Sequence, residues 1–441
     1  MITILTRDNL HLVQNEGLRK DAERYLESYD DYVQNIKEFG MTVSDIDDTK
    51  ETEALKKELI ALGVRPRNKN KSFLWGGISP SCEHCITGEG SVSLILSLAC
   101  NRDCFFCTNK NQYNYEHRRK TVADLPAEYK KMYKYHKKMR SAAITGGEPL
   151  LYPDECEKFI RYVRKRDKDI YTRIYSNGDL ATEEVLTQLK KAGLDEIRFG
   201  LKPDEDGIVE EAVLKNLENA IKIIPNAMVE MPPTPGKLDA MIKLFDKLEE
   251  IGVKGINILE FLFPWVHVKE YNEQGYKVKR RPYEVLYGYH YAGGIPLAGS
   301  ELDCLKLVKH AAENKFKMGV HYCSLENKLT SQIWRYNTSF KKGPLEFFSE
   351  TDFFVKSAKA YGADAEKVKN ILDEKGSDAY SYNVSEQNID FPVKDIPLLK
   401  GENMQLGISY MVFEIDEEKR GLIREIAIQL TDTESFEMSD L

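Results

Sequence analysis

From Ser91 to Phe261 the chain repeats one rhythm. Short runs with strand character, SVSLILSL at Ser91, SAAIT at Ser141, IYTRIYS at Ile170, DEIRFGL at Asp195, AMVEM at Ala227 and GINILEF at Gly255, are separated by stretches of helical pattern such as EEVLTQLKKAG and KLDAMIKLFDKLEEIG. That makes six βα-type units in about 170 residues. Strands joined by helices lie parallel, so the repeat predicts a parallel sheet, either doubly wound or curled into a barrel. In both arrangements functional groups gather at the C-terminal ends of the strands.

The flanks read differently. Leu18, Ala22, Tyr25, Tyr29, Tyr32 and Ile36 step by three and four and predict an amphipathic helix, with Gly40 as its stop and a second helix over Glu53 to Leu62. Residues 1–72 are expected to be a helical N-terminal region, 73–90 a separate cysteine-bearing segment, 91–335 the βα core, and 343–441 a small α+β module. Within the module PLEFFSETDFFVKSAKAYGADAEKVKNILDE reads as helical, and NMQLGISYMVFEID and LIREIAIQL as strands. ELDCLKLVKHAAEN predicts one more helix, followed by a candidate strand in MGVHYCS.

Composition narrows the class. The 441 residues are 42% hydrophobic and 30% charged, an ordinary globular balance. No run of about eighteen apolar residues suggests a membrane span, and MITILTRDNLHLVQ lacks the pattern of a secretory signal. A cytoplasmic location is expected. The net charge of −8 disfavours bulk nucleic-acid binding. Two segments, Lys130 to Arg140 and Lys277 to Tyr291, mix basic and aromatic residues; a solvated surface explains them, and stacking on a nucleic acid is the sharper alternative.

Five of the eight cysteines fall between Cys82 and Cys107. Eight are too few for a disulfide framework in a chain of this length, and their clustering points to metal. Cys100, Cys104 and Cys107, spaced C-x3-C-x2-C at the end of the first strand, can wrap one soft metal centre. Zinc prefers four ligands, so three thiols leave one corner for another molecule.

CNRDCFFC, with aromatic Phe106 before its last cysteine, resembles the signature of the radical S-adenosylmethionine (SAM) enzymes. ITGGEPLL, with Gly146, Gly147, Glu148 and Pro149 just after the second strand, is similar to that family's GGEP motif. The resemblance implies a partial (βα)6 TIM-like barrel carrying a helical N-terminal extension and a small α+β C-terminal module. It implies a [4Fe–4S] cluster on Cys100, Cys104 and Cys107, and SAM whose amino group is held by the backbone of Gly146 to Pro149. Reductive cleavage of SAM then yields a 5′-deoxyadenosyl radical that takes hydrogen from a substrate. By position, Ser176 and Asn177 at the end of the third strand are similar to the family's ribose and carboxylate contacts. Arg198 matches a SAM carboxylate contact, and Glu230 an adenine or substrate contact. For each of these four, a polar residue capping a strand end is the competing reading.

Cys82 and Cys85 form a second C-x2-C pair fifteen residues before Cys100, and Cys323 and Cys304 are candidates to complete it. Together they suggest an auxiliary iron–sulfur cluster, with zinc as the alternative. Cys304 shares a helical face with Val308 and Ala311, so core packing competes for it; Cys156 sits on the stripe of Phe159, Ile160 and Val163 and reads as a buried thiol. GISPSC, the SAM motifs and VHYCS together look like a mostly archaeal group related to pyruvate formate-lyase activating enzymes, over roughly Gly76 to Asn327.

The expected substrate is a peptide or protein side chain; a small molecule, nucleoside or tRNA is the alternative. An iron–sulfur electron carrier or scaffold is the reading from another class, which GGEP disfavours. Ferredoxin or flavodoxin is the expected electron donor. Cys304, Tyr322 and the tyrosines near Tyr287 are hydrogen-donor candidates by position alone.

Overall fold

The computed structural model describes residues 1–134, 138–286, 293–415, 418 and 420–441. The tyrosines near Tyr287, and parts of both basic aromatic segments, lie outside these. The chain forms two compact units, one of residues 40–280 and 290–331, the other of residues 1–39, 281–289 and 332–441.

The first unit is built on a sheet of nine described strands. They are β1 (Arg65–Arg67), β2 (Ser72–Trp75), β3 (Ser91–Ile95), β4 (Ser141–Thr145), β5 (Tyr171–Ser176), β6 (Glu196–Phe199), β7 (Asn226–Met231) and β8 (Gly255–Leu259), with β11 (Gly319–Cys323) later in the chain. The pair β9 (Leu262–Phe263) and β10 (Ile295–Pro296) lies apart from it. The order is β1-β2-β11-β8-β7-β6-β5-β4-β3, with β3 to β8 and β11 parallel and β2 antiparallel to β11. The six units read from the sequence are present. The candidate strand in MGVHYCS is the seventh parallel strand, and β1 and β3 leave the sheet open, as in a partial barrel.

Helices cover one face because they carry one apolar stripe each. Pro153–Arg166 buries Cys156, Phe159, Ile160 and Val163, and Leu238–Ile251 buries Met241, Leu244, Phe245 and Leu248. These meet the outward residues of the strands, such as Ile174, Ile197, Val229, Ile256, Val320 and Tyr322, in one continuous core. Alternation along each strand sends the intervening residues to the other face, which is the barrel interior.

The second unit joins β12 (Phe347–Phe348), β13 (Val355–Tyr361), β14 (Ser381–Asn383), β15 (Asn388–Phe391), β16 (Gln405–Ile415) and β17 (Gly421–Asp432) in an antiparallel sheet. Two findings correct the reading of the sequence. The expected helical N-terminal region is divided: helix Glu16–Glu38 buries Leu18 and Ala22 against Tyr361, Ile428 and Leu430 of this second unit, whereas helix Thr49–Ala61 belongs to the first. The stretch expected to be helical through Phe354 to Tyr361 is the central strand β13, and the helix begins only at Ala363.

Candidate active site

Three short loops after β3, β4 and β5 are locked together by hydrogen bonds. Gly147 N donates to Ser97 O at 2.8 Å and Glu148 N to Ala99 O at 2.7 Å, so the GGEP turn lies flat against the approach to Cys100. Only glycine fits. A Cβ on Gly147 would stand 1.9 Å from Ala99 O, and one on Gly146, whose φ is +144°, 2.1 Å from Ser97 O. Glu148 is buried and works within the fold: its carboxylate accepts from Leu150 N at 2.9 Å and from Asn177 N at 2.6 Å. Pro149 is buried behind it at the start of a short 3-10 turn. Asn177 reaches on to Asn101 Oδ1 at 2.8 Å, and Arg102 Nε to Asp179 at 2.7 Å.

The cysteine loop is therefore held from two sides, and all three thiols line one cavity of about 470 Å³ at the C-terminal ends of the strands. Phe106, Gly147, Ser176, Asn177, Lys202 and Glu230 also line it. Phe106 packs on Phe261, ring centres 5.2 Å apart. Burial raises the Cys104 thiol against the pull of Lys202, and burial likewise raises Cys100 against a hydrogen bond from Arg102 N. A metal binding there must displace those protons. Burial in turn lowers the Lys202 ammonium. Among the described residues no group of three His, Cys, Asp or Glu closes on a single metal ion. The soft donor set, three thiols around one cavity beside a backbone that tolerates no side chain, fits a cluster, which spreads its ligands more widely than a lone ion.

Glu230, Cys323 and Lys328 line the same cavity and belong to a second constellation in the barrel interior. The turn from Ser79 to Cys85 enters the barrel interior, where Ser79 Oγ donates to Glu196 at 2.5 Å and Arg173 donates to Ser81 Oγ at 2.6 Å. Arg198, the residue expected to contact the SAM carboxylate, is almost wholly buried and is not among the residues that line the cavity. Its guanidinium is shared among Glu196 at 2.6 Å, Glu230 and Cys82 Sγ at 3.1 Å. Buried charges persist only when paired in this way. Glu230 also accepts from Asn257 at 2.7 Å; burial would raise its carboxyl, but Arg198 above all carries it down to about 2.

Cys82, Cys85 and Cys323 lie within electrostatic reach of one another. Burial pushes the Cys323 thiol up to about 12, and Asn327 Nδ2 donates to its sulfur at 3.2 Å. Cys304 is not brought to them. It sits in the apolar layer outside the sheet with Leu305 and Val308, 3.5 Å from Leu259 O, whereas Cys323 faces inward. Tyr322 also faces outward, since neighbours on β11 alternate. Cys156 is buried against Pro149 O at 3.4 Å.

Reading the sequence passed over Lys202, Arg173, Tyr175, Glu196, Asn257 and His321. Their signal was a charged or polar residue at every second place of an otherwise apolar strand, as in YTRIYS and EIRF.

Residues 94–248 match the Radical SAM superfamily, and the chain carries a radical SAM domain. Among curated proteins it is 27% identical over 252 residues to a Methanocaldococcus jannaschii protein provisionally named a glycyl-radical enzyme activating enzyme, covering 55% of this chain and 62% of that protein. It is 32% identical over 111 residues to a protein of the same organism provisionally named a GTP 3′,8-cyclase, covering 25% of this chain and 36% of that one. The chain thus spans less than two thirds of either relative. Solved structures it resembles include Streptococcus suis SuiB bound to SAM (TM-score 0.37, 14% identity, 53% of this chain and 50% of that one). Another is the Escherichia coli coproporphyrinogen III oxidase HemN (TM-score 0.35, 13% identity, 54% and 56%).

Proposed function

We propose that the protein is a radical SAM enzyme that takes a hydrogen atom from a peptide or protein and uses an auxiliary iron–sulfur cluster. One observation carries this reading: the three cysteines, Gly147 of the GGEP turn, Ser176 and Asn177 all line one cavity. Cys100, Cys104 and Cys107 would hold a [4Fe–4S] cluster, and Gly146 to Pro149, Ser176 and Asn177 would hold SAM. When bound and reduced, that pair supplies the 5′-deoxyadenosyl radical. The chain's own residues do the rest. Asn101, Arg102 and Asn177 hold the cysteine loop still, and Phe106, Phe261 and Met231 give the cavity apolar wall that keeps water from a reactive radical.

A protein substrate accords with the name carried by the M. jannaschii activating-enzyme relative. A low-potential one-electron donor, ferredoxin or flavodoxin, would reduce the cluster. No described helix is long and apolar enough to cross a membrane.

The test is made on anaerobically reconstituted protein. The wild type is expected to bind about eight irons per chain and a Cys82→Ala/Cys85→Ala variant about four. Both are expected to release 5′-deoxyadenosine from SAM after reduction, and a Cys100→Ala/Cys104→Ala/Cys107→Ala variant none. Four irons in both of the first two would remove the auxiliary cluster; no deoxyadenosine from the wild type would remove the enzyme reading.

A further inference from the structure

Among the described residues, three buried polar atoms of the barrel interior have no hydrogen-bond partner: Arg173 Nε, Asn257 Oδ1 and His321 Nδ1. They are not scattered. Asn257 and His321 are register partners on β8 and β11, and Asn257 is the register partner of Glu230 on β7. Glu230 joins Arg198, and Arg198 touches Cys82 Sγ. Cys323 lies two residues beyond His321 on the same face of β11. Lys328 is within electrostatic reach of Cys85, Cys323, Glu230 and His321 alike. The orphaned atoms thus lie on the strand face that carries Glu230 and Cys323, both of which line the cavity.

His321 is 4% exposed. Its Nε2 lies 2.7 Å from Ser72 Oγ, which sits on β2 opposite Cys323. With Ser72 Oγ accepting the Nε2 hydrogen, Nδ1 carries a lone pair and points into the barrel. A hydrogen bond to the far ring nitrogen is how proteins set the tautomer and orientation of a ligating histidine. Left without a partner, a buried nitrogen forfeits the hydrogen bond it had to water. Of the three orphans only the imidazole suits a soft centre: Arg173 Nε is a donor, and Asn257 Oδ1 is a hard oxygen. No further cysteine serves, because Cys304 and Cys156 lie in the apolar layer outside the sheet.

We propose that His321 Nδ1 is the fourth ligand of a metal–sulfur centre whose other ligands are Cys82, Cys85 and Cys323. This rests on the reading above that those thiols hold an iron–sulfur cluster. It divides the labour of the two centres. The one at the mouth, with three cysteines, keeps an open corner. The inner one, with four protein ligands, has none, so it passes electrons and does not bind substrate.

The experiment uses the full chain with Cys100→Ala/Cys104→Ala/Cys107→Ala, reconstituted with iron and sulfide and reduced, so that only the inner centre is observed. About four irons per chain are expected. Pulsed EPR should show the nitrogen coupling of a ligated imidazole. His321→Ala should abolish that coupling. His321→Cys should keep the iron without the coupling and lower the midpoint potential, because a thiolate replaces a neutral ligand; this variant decides the matter if His321→Ala does not fold. Four irons with no imidazole coupling, or a coupling that survives in both variants, would overturn the role of His321 and leave the cluster standing. No iron in the triple variant would overturn the inner cluster and this proposal together.

Discussion

Gly147 shows how little freedom the mouth of the barrel has. With Ala99 O 1.9 Å from where a Cβ would stand, Gly147→Ala must push the GGEP turn off the cysteine loop. SAM cleavage is expected to fall at least about tenfold, the loss that follows from a small displacement of positioning groups; an unchanged rate of 5′-deoxyadenosine release would refute the tight fit. Glu196 shows the same deeper in. It is fully buried and is the carboxylate between Arg198 and Arg173. Glu196→Gln leaves two buried guanidinium groups with one counter-charge fewer, which is expected to cost about 3 kcal/mol in urea unfolding. A change below about 1 kcal/mol would mean that Glu230 alone balances them.

The strand β13 carries the clearest lesson about elements. VKSAKAY is rich in residues that helices accept, and its seven residues are all buried, so no polar alternation betrays a strand. Tertiary partners reverse the propensity. Lys356 is buried against Asp352 at 2.6 Å, with its ammonium 4.5 Å from the centre of the Tyr410 ring, and Lys359 is held by Glu425 at 2.8 Å. On the neighbouring β15, burial raises the Asp390 carboxyl from its ordinary 3.8 to about 6, more than Lys359 lowers it. A raised acid favours the protonated folded state, so this contribution is full below pH 3.8 and is lost as pH rises through 6. Asp390→Asn is therefore expected to gain melting temperature over the wild type between pH 5 and pH 7. A gap that stays constant over that range would contradict the shift.

In the molecule taken together, cluster loading and folding are linked. Cys104 and Cys107 at the mouth are partly buried, and burial raises the Cys104 thiol, so a bound cluster adds its binding free energy to the folded state alone. Anaerobically reconstituted protein is expected to melt several degrees above the same protein treated with a chelator, with most of the gain lost in the Cys100→Ala/Cys104→Ala/Cys107→Ala variant. Equal melting of loaded and stripped protein would refute that linkage.

Much of this was legible in the residues alone, and the reason is locality. The βα repeat, the C-x3-C-x2-C spacing and the GGEP turn each lie within a few residues, so their geometry follows from near neighbours. The mouth of the barrel and the six parallel strands could be read on that basis. What joins distant parts of the chain could not. Cys323 comes within electrostatic reach of Cys82 across more than two hundred residues, Cys304 is held apart on the helix Ser300–Glu313 packed outside the sheet, and Arg198 is drawn to Glu196, Glu230 and Cys82. Helix Glu16–Glu38 joins the C-terminal sheet, and VKSAKAY becomes its central strand. Each of these outcomes was decided by burial, which makes an unpaired charge or an uncovered apolar stripe too costly to leave and is set only when the whole chain has packed.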